Sequence, residues 1–315
     1  HQQRVEILKA LYRQADILIL DEPTGVLTPD EADHLFRILN GLKDQGKTVI
    51  LITHKLNEVV EVADRITVIR DGKTVDTLDV KDGTVDEDRI IKAMVGRDLT
   101  DRYPPRSVPI GEPVLEVKNW NVYHPLHSDR HTIRDVSLNV RAGEVVGIAG
   151  LMGAGRTEFA MSLFGRSWGQ KISGAVLMHG KPVDVSSIPK ATKAGLAYVT
   201  EDRKTYGLVL IDHIKHNTTL ANLPGVSSRG VVDEMQELKV ANKYRKDLKI
   251  RSSGVFQTTM NLSGGNQQKV VLAKWLFSGP EVLILDEPTR GIDVGAKYEI
   301  YGIINELAAS GKAVI

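Results

Sequence analysis

Leu283-Ile284-Leu285-Asp286-Glu287-Pro288-Thr289 is an apolar run that ends in two carboxylates, and the same seven residues stand at Leu18-Ile19-Leu20-Asp21-Glu22-Pro23-Thr24. The copies lie 265 positions apart. Residues 1–50 align with 266–315 without a gap, and about 19 of the 50 positions are identical, which is an internal repeat of domain size. The repeat predicts that the chain begins inside one copy of a unit and stops inside the next, so that neither copy is complete. Each apolar run has the mark of a strand buried on both faces of a parallel sheet. The carboxyl end of such a strand is the edge where α/β proteins bind ligands. There Asp21 and Asp286 are expected to hold Mg²⁺ through water, and Glu22 and Glu287 to polarise an attacking water as general bases. A single Asp-Glu pair after a strand is ordinarily a solvated strand end. Two copies, each followed by Pro-Thr, argue for chemistry instead.

Around these runs the pattern alternates. A helix is expected over 2–13, with Val5, Leu8 and Leu11 on one face, then a helix over 30–45 and a buried strand at 48–53. Strands at 65–70 and 73–80 flank Asp71-Gly72, a hairpin signal, and 86–96 reads as a helix. Between 98 and 113 the periodicity stops. Pro104, Pro105, Pro109 and Pro113 cluster there, which marks an interdomain linker. Strands are expected at 114–118 and 136–140, and a buried strand at 144–149. A helix at 156–164 follows, then a hairpin-like pair at 172–179 and 181–185, and further strands at 196–200 and 282–285. Helices are expected at 233–248 and 266–277. Buried strands alternating with helices give an α/β fold with a parallel sheet.

Gly150-Leu151-Met152-Gly153-Ala154-Gly155-Arg156-Thr157 has the spacing of a phosphate-binding loop between a strand and a helix. Glycines let backbone N–H groups curl around phosphates, and the helix presents its positive end to them. Thr157 is placed to hold Mg²⁺. Arg156 stands where that motif normally has Lys, and its wide planar fork makes the exchange non-conservative. Slow hydrolysis at a loop that still binds nucleotide is the sharper alternative reading. Leu262-Ser263-Gly264-Gly265-Asn266 precedes a helix and offers a second anion site through Ser263, Gly264 and Gly265; a plain Ser cap is the simpler alternative.

Composition narrows the partners. The 315 residues suit about two domains. Lys plus Arg is 41 against 40 Asp plus Glu, a net charge of +1, which leaves no basic surplus for nucleic acid. With no cysteine there are neither disulfides nor thiolate metal sites. No apolar run reaches the roughly 18–20 residues that span a bilayer.

The order of these motifs, completed by Thr53-His54 after the first Asp-Glu-Pro-Thr, resembles the ABC-type ATPases. Leu262–Lys269, Gly150–Thr157 and Thr200-Glu201-Asp202-Arg203-Lys204 together resemble the tandem ATPase subunit of bacterial monosaccharide importers, over essentially the whole chain. That resemblance implies an α/β P-loop NTPase of ABC type, with a mixed, mainly parallel sheet, an antiparallel β subdomain and a helical subdomain, present as two incomplete tandem copies. Residues 1–97 would be the C-terminal part of a first nucleotide-binding domain, 98–113 the linker, and 114–315 a second domain lacking its C-terminal end. It further implies ATP and Mg²⁺ as cofactors and ATP hydrolysis coupled to sugar uptake. Transmembrane permease subunits would be the partners, a periplasmic or lipoprotein sugar-binding protein an indirect one, and the cytoplasmic face of the cell membrane the location.

By the same resemblance His54 would contact the γ-phosphate, and Glu201 stands where the family usually has Gln. Asp293 would match the D-loop aspartate, while Thr28 occupies the equivalent place in the first copy. Tyr123 or His124 would stack on adenine. The two halves would pair with each other. One composite site would use Ser263, Gly264 and Gly265 with Glu22 and His54; the other would use the Arg156 loop with Glu287. The first is expected to be the main hydrolytic site. The charged region 202–249 would dock on the permease. A soluble ABC protein of translation-factor or DNA-repair type is the alternative from another class, and a nucleoside importer with a lipoprotein receptor is the alternative within transport. The histidines at 124, 127 and 131 read as part of a variable polar loop, and Trp120, Trp168 and Trp275 as packing residues.

Overall fold

A computed structural model describes residues 5, 9, 15–25, 27–70, 72–80, 87–96, 103–151 and 153–315. These fall into two compact units, 1–102 with 293–295 and 103–292 with 296–315. Most of the helix expected over 2–13, Asp71 of the hairpin turn, linker residues 98–102 and Met152 lie outside the described residues.

In the first unit β1 (Ile17–Asp21) and β2 (Thr48–Ile52) pair in parallel, from Ile17↔Thr48 to Asp21↔Ile52. A parallel pair needs a crossover, and α1 (Pro29–Asp44) supplies it. Pro29 opens α1, Asp30 and Glu31 place negative charge in its first turn, and the Glu31 carboxylate accepts the Thr28 amide at 3.1 Å. Leu35, Phe36 and Leu39 of α1 pack on Leu18 and Leu20, joined by Val62 from α2 (Leu56–Val62). The period of two sends Ile17 and Ile19 to the opposite, exposed face. β3 (Arg65–Arg70) and β4 (Lys73–Asp79) form the expected hairpin, with a register shift between Val68 and Ile69. α3 (Glu87–Val95) seats Ile90 against Ile66 and Val68.

The second unit begins with an antiparallel sheet. β5 (Pro113–Tyr123) pairs with both β6 (His131–Arg141) and β7 (Gln170–Met178), and β7 continues to β8 (Lys181–Pro182). Buried Trp120 donates its indole N–H to Ser162 Oγ at 3.0 Å. That bond ties the sheet to α4 (Arg156–Leu163), which starts immediately after Gly155. After α5 (Ile188–Lys193), β9 (Leu196–Val199) joins a parallel sheet of order β13-β12-β9. A helical stretch intervenes, with α6 (Ile214–Thr219), the short pair β10 (Ser227–Ser228) and β11 (Val231–Val232), and α7 (Glu234–Asp247). α8 (Gly264–Leu276), β12 (Val282–Leu285), α9 (Val294–Ala309) and β13 (Ala313–Val314) follow.

β9 and β12 are apolar on both faces because both are covered. Leu196, Tyr198, Val282 and Ile284 share a core with Phe159, Ala160 and Leu163 of α4. Val199 packs instead with Val270, Val271, Ile300 and Ile303 of α8 and α9. One expectation fails here. Residues 144–149 were expected as a buried strand, yet only Val145 bridges to Val314, and residues 147–150 are exposed. Glu144 O and Val146 N bond to Val314, and among the described residues no sheet partner faces the segment beyond them. The second strand of the 181–185 pair is also shorter than expected, two residues rather than five. No helix among the described residues is long and apolar enough to cross a membrane.

Gly174 in β7 supplies a test of this packing. Its φ is +118°, and a Cβ there would lie 2.7 Å from Asn119 O and 2.8 Å from Lys118 O, backbone atoms of β5 that cannot swing aside. Gly174→Ala is expected to lower the unfolding free energy by about 2 kcal/mol, read as a lower urea midpoint at unchanged m-value.

Candidate functional site

Glu22 follows β1 with φ +45°, and Glu287 follows β12 with φ +42°, a left-handed backbone that is uncommon for any residue but Gly. The turns match. Gly25 N bonds Glu22 O at 3.1 Å, and Arg290 N bonds Glu287 O at 3.0 Å. What each carboxylate meets is different.

In the first unit the amide of Glu22 bonds Ile52 O at 2.8 Å, so the ends of β1 and β2 stay together. His54, just past β2, places Nδ1 2.7 Å from Glu22 Oε1. The expected base and the expected histidine therefore meet. Glu58 of α2, which the sequence reading did not single out, organises the floor beneath them. Its buried carboxylate accepts from Thr24 Oγ1 and from Thr53 Oγ1, the latter at 3.0 Å, and Lys55 Nζ is 3.0 Å from it. It thus ties the Asp-Glu-Pro-Thr turn to the loop that carries His54. Asp21 at the strand end is exposed.

In the second unit Gly153 (φ +79°) and Gly155 (φ +94°) shape the turn into α4, and Ala154 N bonds Leu151 O at 3.0 Å. A Cβ on Gly155 would meet Ile133 Cδ1 at 2.9 Å, and one on Gly150 would meet the Ala154 Cβ at 3.1 Å. One cleft is lined by Gly147, Ile148, Arg156, Asp286 and Glu287 among others. Thr157 is the second residue of α4 and is half-buried. Asp286 is buried and accepts the Tyr198 hydroxyl at 3.1 Å. Burial, helped by the Asp286 charge, pushes the Tyr198 phenol well up, so it stays a donor.

Arg156, expected to face phosphate, here bonds Glu287 Oε1 through Nη2 at 2.9 Å. Both side chains are about a third exposed, at 31% and 36%. Such a partly exposed pair is worth about 0–1 kcal/mol.

A second cleft is lined by Glu201, Asp202, Arg203, Lys204, Arg290 and Gly291. Glu201 bonds Arg290 Nη1 at 2.9 Å. Burial raises its carboxyl pKa, while the Arg290 charge works against that. Arg203, missed in the sequence reading, donates to Arg290 O at 2.9 Å and faces Gly264, where a Cβ would come within 2.7 Å of Nη2. Ser263 caps α8 by position, yet its Oγ accepts from Asn266 Nδ2 at 2.9 Å and makes no capping bond to a helix amide. A Cβ on Gly265 would meet the Ala296 Cβ at 2.6 Å. Ser263 thus holds the N-cap position through its carbonyl, which accepts Gln267 N at 2.9 Å, without a side-chain cap. Ser263, Gly264 and Gly265 are not brought to the Arg156 cleft, and Asp293 lies exposed ahead of α9. Tyr123 stacks on His131 at 4.4 Å, and His124 lies edge-on to Trp168. Lys274 of α8 is buried and donates to Gly207 O, which fastens α8 to the turn following Glu201.

Comparison with known proteins places the architecture. The ABC transporter family profile matches residues 133–290. The L-arabinose transport ATP-binding protein of Geobacillus stearothermophilus is 57% identical over 314 residues, covering 100% of this chain and 61% of its own length. The xylose import ATP-binding protein of Thermoanaerobacter pseudethanolicus is 52% identical, and the ribose import ATP-binding protein of Bacillus subtilis 45%, each over 100% of this chain and 62% of its own length. The chain thus spans about three fifths of the length of these relatives. A nucleotide-free ATP-binding cassette from an ABC transporter superposes with TM-score 0.55 at 20% identity, covering 64% of this chain and 80% of that one. The fold is that of an ABC ATPase, mixed in helix and sheet.

Lys274 gives the site a pH signature. Burial pushes its ammonium down from 10.5 to about 8. Between those values the unfolded chain binds more protons than the folded one, so stability rises with pH from about 8 to about 10.5, and below 8 the full cost is present. Lys274→Met removes this contribution. Going from pH 7.5 to 10, the native chain is expected to gain about 2 kcal/mol relative to the variant, measured by paired urea titrations.

Proposed function

The chain belongs to the ABC transporter family, and from that membership we propose that it binds and hydrolyses ATP within an importer of monosaccharides. The observation that carries the reading is the single cleft along which Arg156, at the end of the Gly150–Thr157 loop, meets Asp286 and Glu287. The names of the arabinose, xylose and ribose relatives support the substrate class. The residues suit a magnesium nucleotide: glycines at positive φ ahead of a helix, a cation at the loop's end and a buried carboxylate beside it. ATP supplies the phosphoanhydride that water cleaves. Gly150, Gly153, Ala154, Gly155 and Arg156 would hold its phosphates, and Thr157 and Asp286 would hold Mg²⁺ in this cleft, while Asp21 would hold Mg²⁺ at the separate site of the first unit. Glu22 and Glu287 orient the water and take its proton, and His54 fixes the Glu22 carboxylate. Glu201, Ser263, Gly264, Gly265 and Asp293 would be further nucleotide-contacting residues by the family pattern.

Two incomplete tandem copies, 1–97 and 114–315 joined by 98–113, account for the repeat. The equal left-handed turns at Glu22 and Glu287 support that reading. Their unequal partners support an asymmetry. Glu22 meets His54 at 2.7 Å, whereas the loop that serves Glu287 carries Arg156 where the motif normally has Lys. In the intact polypeptide Glu22→Gln is therefore expected to abolish ATP turnover and Glu287→Gln to cost much less, measured as steady-state phosphate release. Equal losses would sink the asymmetry.

Permease subunits bound through 202–249, an indirect sugar-binding protein and the cytoplasmic membrane face complete the proposal. The protein is expected to co-purify with a membrane permease. Co-sedimentation with ribosomes or DNA would replace this reading with the translation-factor or DNA-repair class, and uptake of guanosine rather than xylose with the nucleoside class.

A further inference from the structure

We propose that Asp212, His213 and His216 bind one divalent transition ion, zinc foremost, at the start of α6. A carboxylate oxygen of Asp212 and one ring nitrogen of each histidine lie within 4.8 Å of one another. Tetrahedral coordination at about 2.0–2.2 Å from the metal sets its ligand atoms roughly 3.3 Å apart, so modest side-chain rotations close the set. Asp212 Oδ1 and His216 Nδ1 already face each other at 2.8 Å. An ion would take the place of the proton between them.

Three surroundings favour an ion over a local helix-start hydrogen bond. First, the ring behind the ligand atom is backed by a carboxylate. With Nδ1 on the metal, His216 Nε2–H points toward Glu237 Oε2, 3.9 Å away. Glu237 is buried and held by Lys215 Nζ at 2.8 Å and Thr219 Oγ1 at 2.7 Å. At that distance the carboxylate makes no direct hydrogen bond to the ring and acts as a nearby negative charge that favours a cation on Nδ1.

Second, the loop that carries the other two ligands is braced. Asp212 N bonds Val209 O at 3.0 Å, Thr259 N bonds Asp212 O at 3.0 Å, and His213 bridges to Thr258. The His213 ring lies edge-on to Phe256. Third, Asp212 and His213 are half-buried while His216 is exposed, which leaves an entry path and open positions for water.

Two imidazoles and one carboxylate suit zinc, cobalt or nickel rather than magnesium or calcium, which take oxygen ligands. The three histidines 124, 127 and 131 make the contrast. His124 Nδ1 accepts the amides of Leu126 and His127, and His131 is stacked on Tyr123, so similar spacing there builds no ligand set. None of the three proposed ligands takes part in the nucleotide site, and all three lie within the 202–249 region proposed to meet the permease.

The test is titration of the chelator-treated chain with Zn²⁺ by calorimetry, and with Co²⁺ by visible absorption, which reports coordination number. One equivalent is expected, with the intense bands of four-coordinate cobalt. Asp212→Asn, His213→Gln and His216→Gln should each weaken binding roughly tenfold or more, and His124→Gln should leave it unchanged. Should a variant fail to fold, anomalous scattering from zinc-soaked crystals of the unaltered chain decides, with a peak expected between the three side chains. Absence of saturable binding, binding that survives His213→Gln together with His216→Gln, or a peak elsewhere overturns the proposal.

Discussion

Apolar cover on both faces of β9 and β12 is the constraint from which the second unit follows. A strand with water on one face alternates, but Leu196–Val199 and Val282–Leu285 do not alternate, so a layer must lie on each side. α4 fills one side through Phe159, Ala160 and Leu163, and α8 and α9 fill the other through Val270, Val271, Ile300 and Ile303. The carboxylates of Asp286 and Glu287 therefore stand where the strand leaves this cover. Asp286 is the first residue there and remains half inside the core, bonded to Tyr198. Glu287 is the second and reaches the cleft. The order of burial, apolar strand then shielded Asp then accessible Glu, assigns one carboxylate to a fixed charge and the next to a mobile one.

Buried polar groups do the tying that apolar contacts cannot. Lys215 is buried in α6, paired with Glu234 at 2.7 Å and Glu237 at 2.8 Å across to α7. Such a pair adds little net stability over apolar packing, but breaking it by removing one partner costs about 3–5 kcal/mol. It therefore specifies how α6 and α7 meet more than it strengthens them. Glu58 does the same in the first unit, with two threonines from two different loops on one carboxylate.

Elements with a complete local signature were legible in the sequence. The run before Asp286, the β3–β4 hairpin and the charge-rich helix after Asp233 match the structure, the last with Asp233 accepting from Met235 N and Gln236 N, whereas β1 and β2, expected as strands buried on both faces, keep Ile17, Ile19, Ile50 and Ile52 exposed. What escaped was set by partners far along the chain. Residues 144–149 read as a strand because their composition is right, but strand geometry needs a neighbour, and only Val314 faces them. Glu58 and Arg203 escaped because nothing in a run of residues announces that a charged side chain will turn inward to meet Thr24 or the Gly291 carbonyl. The region 202–249 is charge-rich, and its charges do not reveal that Lys215 and Glu237 are buried in it. The Arg156–Glu287 contact spans 131 positions. Sequence spacing offered both residues but not their meeting.

The left-handed backbone at Glu22 and Glu287 has a consequence for how the protein can change. A non-glycine residue held at such a φ costs on the order of 1–3 kcal/mol, which Gly would relieve. At these two positions the residue best for the turn and the residue that brings a carboxylate to the strand end are different. Selection for heat resistance alone would drift toward glycine at both and would score the loss of the carboxylate as an improvement.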